Sequence, residues 1–136
     1  MYSVEVRDRI MIAHSLHDPF FGPAQGKHGA SFVVDVAFYR ETLTPQNVVV
    51  DIGAALDVLG KTLKRLAYQD LDTLPEFAGK LTTTEFLCKY VFDRMAEAAA
   101  SGALGADARG LAKLRVTLHE HDLARATFEA PLLGTA

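Results

Sequence analysis

The chain has 136 residues, of which 49% are apolar and 23% charged, so it is long enough for one folded domain and is neither disordered nor fibrous. Its net charge of −3 gives no general attraction to nucleic acid or to an anionic membrane, and a small molecule is the expected partner. No stretch reaches the ~18–20 apolar residues of a membrane span, and the N-terminus lacks a signal-peptide pattern. With Cys88 as the single cysteine, no intrachain disulfide can form, and we expect a cytoplasmic protein.

The first third of the sequence predicts two β-strands. Apolar and polar residues alternate over residues 2–14 and again over residues 30–40, which is the period of a half-buried strand. The second run is the clearer one, because it places Phe32, Val34 and Val36 on one face. The VVV run at residues 48–50 predicts a short extended piece.

Two helices are predicted in the middle of the sequence. Asp51 is the expected N-cap of a helix over about residues 53–67. Its predicted buried stripe consists of Leu56, Leu59, Leu63 and Leu66. After a loop, Thr83 or Thr84 caps a second helix, which ends in a glycine-containing segment. The buried side of this helix is predicted to consist of Leu87, Val91, Met95 and Ala98, and Cys88 is interpreted as a packing residue.

The last third of the sequence predicts two more strands. Leu114, Val116 and Leu118 alternate with polar residues, and the same parity places Glu120 on the apolar face, where a carboxylate needs hydrogen-bond donors. A turn near residues 121–123 leads into the last strand. The order ββααββ predicts a single α+β domain over residues 1–136, an antiparallel sheet with two helices on one face. Its open edges predict a homo-oligomer that closes the sheets into a barrel.

Six short segments occur in a characteristic order: IMIAHSL, KHGASF, VVVDIGAAL, LAYQDLD, LTTTEFL and VTLHEHDLARATF. Together they resemble the 6-pyruvoyl-tetrahydropterin synthase family, which includes the carboxy-tetrahydropterin synthase of queuosine biosynthesis. The resemblance implies the tunnelling fold (T-fold), in which trimers form a twelve-stranded barrel and two barrels stack as a hexamer. It also implies three zinc-binding histidines, a proton-transferring cysteine, aspartate and histidine, and a late glutamate that holds the pterin ring.

The zinc site implied by this resemblance is incomplete. His14 and His28 match the first two zinc histidines, but Ala30 stands where the third belongs. A catalytic zinc site needs three protein ligands, so we expect no zinc cofactor and treat the two histidines as remnants. His17 lies three residues after His14, a spacing that disfavours it as a substitute ligand.

The proton-transferring residues of the family are replaced as well. No cysteine closely precedes His28, and Ala24 or a neighbour takes its place. Ala67 replaces the aspartate and Tyr68 replaces the histidine, while Asp70 is either a shifted aspartate or a solvated loop residue. Tyr68 and His28 remain candidate catalytic acids or bases. These losses together predict neither of the two synthase activities.

The residues that hold the ligand are better preserved. Glu120 matches the pterin-anchoring glutamate, and Thr83, Thr84 and Glu85 match the motif that begins the second helix. The 2-amino group and ring N–H of a pterin present two adjacent donors, which one carboxylate accepts together. The resemblance therefore implies ligand binding by these four residues.

Other interpretations stay open. Glu120 pairing with Arg115, Arg125 or His119 would be a purely structural role, and Thr83 and its neighbours would then only cap a helix. Three functions compete: a zinc-independent protein that binds a pterin-like ligand, an enzyme of lyase or aldolase type acting on a pterin side chain, and a non-catalytic oligomeric scaffold.

Overall fold

The computed structural model describes residues 1–132, in which four strands and two α-helices follow the predicted order. The strands are β1 (Tyr2–His14), β2 (His28–Arg40), β3 (Lys113–His121) and β4 (Ala124–Pro131); the helices are α1 (Ile52–Lys64) and α2 (Thr84–Ser101). Short 3₁₀ helices lie in the connections, at Pro19–Gln25, Leu71–Thr73, Pro75–Phe77 and Ala106–Gly110. Residues 133–136 of the predicted domain lie outside the described part.

The strands form one antiparallel sheet, as predicted, and the structure shows their order in it to be β1-β2-β3-β4. Strands β1 and β2 pair without a break from Tyr2 opposite Arg40 to His14 opposite His28. Helix α1 packs on β1 and α2 packs on β3 and β4, so both helices cover the same face. None of the helices in residues 1–132 is both long and apolar enough to cross a membrane.

Alternation along each strand separates the buried face from the open face of the sheet. Val34, Val36, Leu114 and Val116 are completely buried beneath the helices. The side chains between them, such as Arg7 and Arg115, lie on the open face. This alternation confirms the strand predictions and fixes which face each candidate site residue occupies.

The predicted caps are also observed. The Asp51 side chain accepts a hydrogen bond from the Ala54 N–H at 3.0 Å, and Thr83 rather than Thr84 caps α2, accepting from the Phe86 N–H at 3.1 Å. Cys88 is completely buried inside α2, and burial raises the pKa of its thiol to about 11. Such a thiol is a packing residue rather than a nucleophile, in agreement with the prediction.

Three local predictions were wrong. The first helix ends at Lys64 instead of residue 67, and Leu56 is 44% exposed, because only part of the apolar stripe of α1 faces the sheet. Leu66 is buried, but it lies in the turn after the helix. The VVV run forms bends instead of an extended piece, and its buried Val49 and Val50 pack into the core beside the start of α1.

Gly110 is predicted to tolerate no side chain, because a Cβ atom there would lie 2.5 Å from Nη2 of Arg40. Arg40 is buried and donates from both terminal nitrogens to the Asp107 carbonyl at 2.8 Å, so it cannot move without breaking these bonds. We expect Gly110→Ala to lower the free energy of unfolding by about 1–3 kcal/mol, measured by urea denaturation.

Gly60→Ala is the matched control for this experiment. Gly60 lies inside α1, and a Cβ atom there would meet its nearest neighbour at 3.7 Å, an ordinary contact. Because alanine favours helix, this variant should gain about 0.5–1 kcal/mol. Equal stability of the Gly110→Ala variant and the unaltered protein would show that Arg40 is not a fixed part of the core.

Candidate functional site

Two histidines meet at one end of the sheet, where β1 ends and β2 begins. The ring centroids of His14 and His28 are 4.6 Å apart, and His14 is 4% exposed. A hydrogen bond of 3.0 Å joins Nδ1 of His14 to Oγ1 of Thr82, while Nδ1 of His28 donates to the Gly26 carbonyl at 2.8 Å. Burial, followed by the neighbouring His28, lowers the pKa of His14. Within residues 1–132, no hydrogen bond engages the Nε2 atom of either histidine.

The third position of this group holds no ligand atom. Ala30 lies two residues after His28 on the same face of β2, opposite Ile12 of β1. His17 bonds to Ser15 Oγ through Nε2 at 2.7 Å instead of joining the pair. Within residues 1–132, no three His, Cys, Asp or Glu side chains are grouped to hold a metal ion. Two imidazoles do not fit a catalytic zinc site, so no step of the chemistry can be assigned to that metal here.

An ion-pair network lies beside the two histidines. Nζ of Lys27 donates to Oδ2 of Asp70 at 2.7 Å and to Oδ2 of Asp72 at 2.6 Å, and the Ser15 hydroxyl also donates to Asp72. Burial of Asp72 raises its pKa, but the bonds from Lys27 and Ser15 outweigh burial and lower the pKa to about 2. Asp70 also accepts from the Asp72 N–H as a cap. Asp70 is therefore a structural, ion-paired residue instead of a freely solvated one.

Tyr68 stands on the edge of the sheet in a strained conformation. Its φ is 58°, in the left-handed region that non-glycine residues seldom adopt, and its N–H donates to the Met11 carbonyl at 2.7 Å. The side chain is 84% exposed. Ala67 and Tyr68 both line a cavity on the open face of the sheet.

This cavity has a volume of about 580 Å³ and contains Glu120. Glu120 is exposed, which corrects the prediction that parity would bury it: the pairing of β3 with β4 shifts between His119 and His121, and this bulge interrupts the alternation. In the described part of the sequence, no hydrogen bond or ion pair joins Glu120 to Arg115, Arg125 or His119. Arg115 lies instead 3.9 Å from Glu129.

The predicted ligand-binding residues at the start of α2 lie outside this cavity. Thr83, Thr84 and Glu85 form the start of α2 and do not line the cavity that contains Glu120. The preceding Thr82, which is 1% exposed, bonds to His14 and so ties the start of α2 to the histidine pair. Within one subunit, the predicted ligand-binding residues are therefore not brought into a single cavity.

A second group of charged residues was not predicted from the sequence. Asp35 is 5% exposed and accepts from Nε of Arg7 at 2.6 Å, from Nη2 of Arg7 at 2.9 Å and from Nε2 of His119 at 2.8 Å. The bond from Arg7 is the main reason that the pKa of Asp35 is lowered. The signal in the sequence was a single acidic residue inside the apolar run FVVDVAF.

Comparison with known proteins identifies the relatives of this fold. Residues 3–131 match the 6-pyruvoyl tetrahydropterin synthase family. A comparison with curated protein sequences gives no significant match. Among solved structures, the Caenorhabditis elegans 6-pyruvoyl tetrahydropterin synthase superposes with a TM-score of 0.78 at 21% identity, covering 95% of each protein.

Two solved structures from malaria parasites are similar as well. The Plasmodium vivax 6-pyruvoyl tetrahydropterin synthase has a TM-score of 0.75 at 15% identity, with 96% of this protein and 99% of that one covered. The Plasmodium falciparum enzyme has a TM-score of 0.72 at 14% identity, with 95% and 98% covered. These likenesses establish the T-fold, and the family match spans nearly the whole sequence. The protein therefore belongs to the 6-pyruvoyl tetrahydropterin synthase family.

Proposed function

We propose that this protein binds a pterin-like bicyclic ligand through Glu120, without zinc, and does not catalyse the synthase reaction of its family. The observation that carries the proposal is the Glu120 carboxylate, which lines a cavity of about 580 Å³ and has no partner among the described residues. A structural glutamate would be paired with a nearby cation or histidine, and the groups that could serve are engaged elsewhere or do not reach it.

The cavity wall suits a flat heterocycle. Met11 and Val33 supply apolar surface for the ring faces, and Glu120 supplies the acceptor for the ring edge that carries two donors. A carboxylate that accepts both an amino group and a ring N–H fixes the orientation of the ring as well as its affinity.

Loss of the family reaction is proposed from the replaced residues. Ala30 removes a metal ligand, Ala24 or a neighbour stands in place of the thiol, and Ala67 and Tyr68 replace the aspartate and histidine. One replacement can be compensated by a neighbour, but the four together remove both the metal and the groups that would move protons.

The proposed assembly is a cytoplasmic homo-oligomer, a hexamer made of two trimers. Strands β1 and β4 are the edges of the four-stranded sheet, and pairing between copies would remove both edges. Because Thr83, Thr84 and Glu85 lie outside the cavity of their own subunit, their proposed contact with the ligand requires a second subunit.

An enzyme acting on a pterin side chain, of lyase or aldolase type, is the second candidate. It is favoured by Tyr68, whose strained backbone and exposed hydroxyl lie on the wall of the Glu120 cavity. His28 does not line this cavity and is the weaker candidate base. Turnover of a reduced pterin that is lost in Tyr68→Phe would favour this candidate over a binding protein.

The direct test is calorimetric titration of the chelator-treated protein with neopterin and biopterin. Micromolar binding without metal is expected. Absence of binding to pterins, purines and their precursors would contradict the proposal and favour the oligomeric scaffold.

A further inference from the structure

An apolar groove lies at the β4 edge of the sheet, on the side that the helices cover. Its walls are α2, the 3₁₀ helix Ala106–Gly110 and β4, and its volume is about 530 Å³. Lys89 and Arg109 border the groove, and the other lining residues are apolar. Five of these are alanines, whose small side chains leave the space between Phe92, Phe128 and Leu132 unfilled: Ala96, Ala99, Ala100, Ala108 and Ala130. We call this the α2–β4 groove.

An exposed apolar patch lies at the opposite edge of the sheet. Ile52 and Leu56 are one turn apart on α1 and are 52% and 44% exposed, and we call these two residues the α1 patch. Gly60 follows one turn later, and a Cβ atom there would lie 3.7 Å from Oδ2 of Asp8 in β1. Because β1 is an edge strand, this side of α1 faces the edge of the sheet instead of facing α2.

The groove and the patch lie at the same level of the sheet. The register of the four strands aligns Phe128 of the groove with Val6 of β1. Helix α1 runs in the direction of β1, and Leu56 lies one turn before Gly60, which is beside Asp8. One helical turn advances about as far as two residues of a strand, so Leu56 is also near the level of Val6.

We propose that the α1 patch of one copy of this protein packs into the α2–β4 groove of a second copy, beside the pairing of their β1 and β4 edges. This inference rests on the proposed assembly and names the surfaces that form it on the helix side. Packing of the patch into the groove removes apolar surface of both copies from water. Because the two surfaces differ and lie at opposite edges, the contact is heterologous, and its repetition gives a closed ring of copies instead of a two-fold dimer.

The charges beside the two surfaces are complementary. Arg109 borders the groove, and the half-buried Asp8 lies beside the helix that carries the patch. Within residues 1–132, no salt bridge engages either of these side chains. Opposite charges on the two sides of the contact favour this orientation of the second copy over others.

Leu56→Glu tests the α1 patch. Sedimentation velocity should show an oligomer for the unaltered protein, and the dissociation constant of this oligomer should rise by roughly 100-fold or more in the variant, because an apolar groove cannot solvate a carboxylate. Residue 56 is partly exposed in a single subunit, so the variant should fold, which circular dichroism checks. Lys61→Glu places the same charge on an exposed side of the same helix and is the matched control, which should keep the mass of the unaltered protein.

Cysteine cross-linking tests which surfaces meet. In the double variant Leu56→Cys/Ala100→Cys, a short bis-maleimide should join successive copies into covalent multimers, whereas neither single variant should form them. The native Cys88 is buried and burial raises its pKa to about 11, so it should not react. Cross-linking between two copies of Leu56→Cys alone would show a two-fold contact and overturn the proposal.

The outcomes separate this inference from the proposed function. An oligomer that is unaffected by Leu56→Glu, or a double variant that forms no multimers, would overturn the packing of the α1 patch and leave the proposed assembly and ligand standing. A monomeric unaltered protein would overturn this inference together with the proposed assembly. Pterin titration of the same samples reports on the ligand independently of either result.

Discussion

Glu120→Ala is expected to weaken pterin binding by roughly 100-fold or more while leaving the fold intact. The carboxylate would lose two charge-assisted hydrogen bonds to the ring, each contributing about 1.5–3 kcal/mol, and about 1.4 kcal/mol corresponds to a tenfold change in affinity. Because Glu120 is exposed, its removal should change the free energy of unfolding by about 0.5 kcal/mol or less. Calorimetry and urea denaturation measure the two effects separately.

Glu120→Gln and Glu129→Ala complete this test. The amide of glutamine has one acceptor oxygen and one NH₂ donor. Its NH₂ group would lie opposite one of the two donors of the ring, so the Glu120→Gln variant should also bind the pterin poorly. Glu129 is an exposed carboxylate on β4, outside the cavity, and its removal should leave affinity unchanged. Equal binding by the unaltered protein and Glu120→Ala would remove the main support for the proposed pocket.

The strands and helices were predictable because each is encoded by a local period. Alternation over residues 2–14 and the caps at Asp51 and Thr83 depend only on neighbours in the sequence, and all three are observed. Glu120 shows the limit of this reasoning. Its parity was counted correctly, but Glu120 lies at a bulge near the end of β3, where the side chain is exposed, and the sequence pattern does not reveal the bulge.

The candidate site depends on contacts that no local pattern contains. Asp35 and His119 are 84 residues apart, and they meet only because β2 pairs with β3 in one particular register. The pairing of His14 with His28 was expected from the family resemblance, whereas the bond from Thr82 that fixes His14 was not. The partners of these buried polar groups are distant in the sequence, so only the structure could identify them.

The absence of a third histidine also changes how the two remaining ones should behave. In a site with three histidines, His14 and His28 would both coordinate the same metal ion through an imidazole nitrogen. Burial, followed by the charge of the neighbouring His28, lowers the pKa of His14. The neutral form of His14 is therefore favoured, and this is the state that a metal ligand must have.

Ala30→His is expected to create a zinc site in this protein and to raise zinc affinity by roughly 100-fold or more, because a third imidazole completes the minimum ligand set. Position 30 lies on the same face of β2 as His28, two pairs along the ladder from the pair of His14 and His28, whose rings are 4.6 Å apart. Nδ1 of His14 and Nδ1 of His28 are already engaged, so both Nε2 atoms are available to the metal.

Ser31→His is the matched control for this site, because residue 31 points to the opposite face of the same strand. Zinc content after dialysis, measured by mass spectrometry, and the thermal shift on adding zinc should rise for Ala30→His alone. Tight zinc binding by the unaltered protein would show that another group completes the site and would overturn the prediction that it works without zinc. If Ala30→His folds but binds no zinc, the prediction is wrong. The bonds to Thr82 and Gly26 would then hold the imidazoles of His14 and His28 in orientations that do not suit a metal ion.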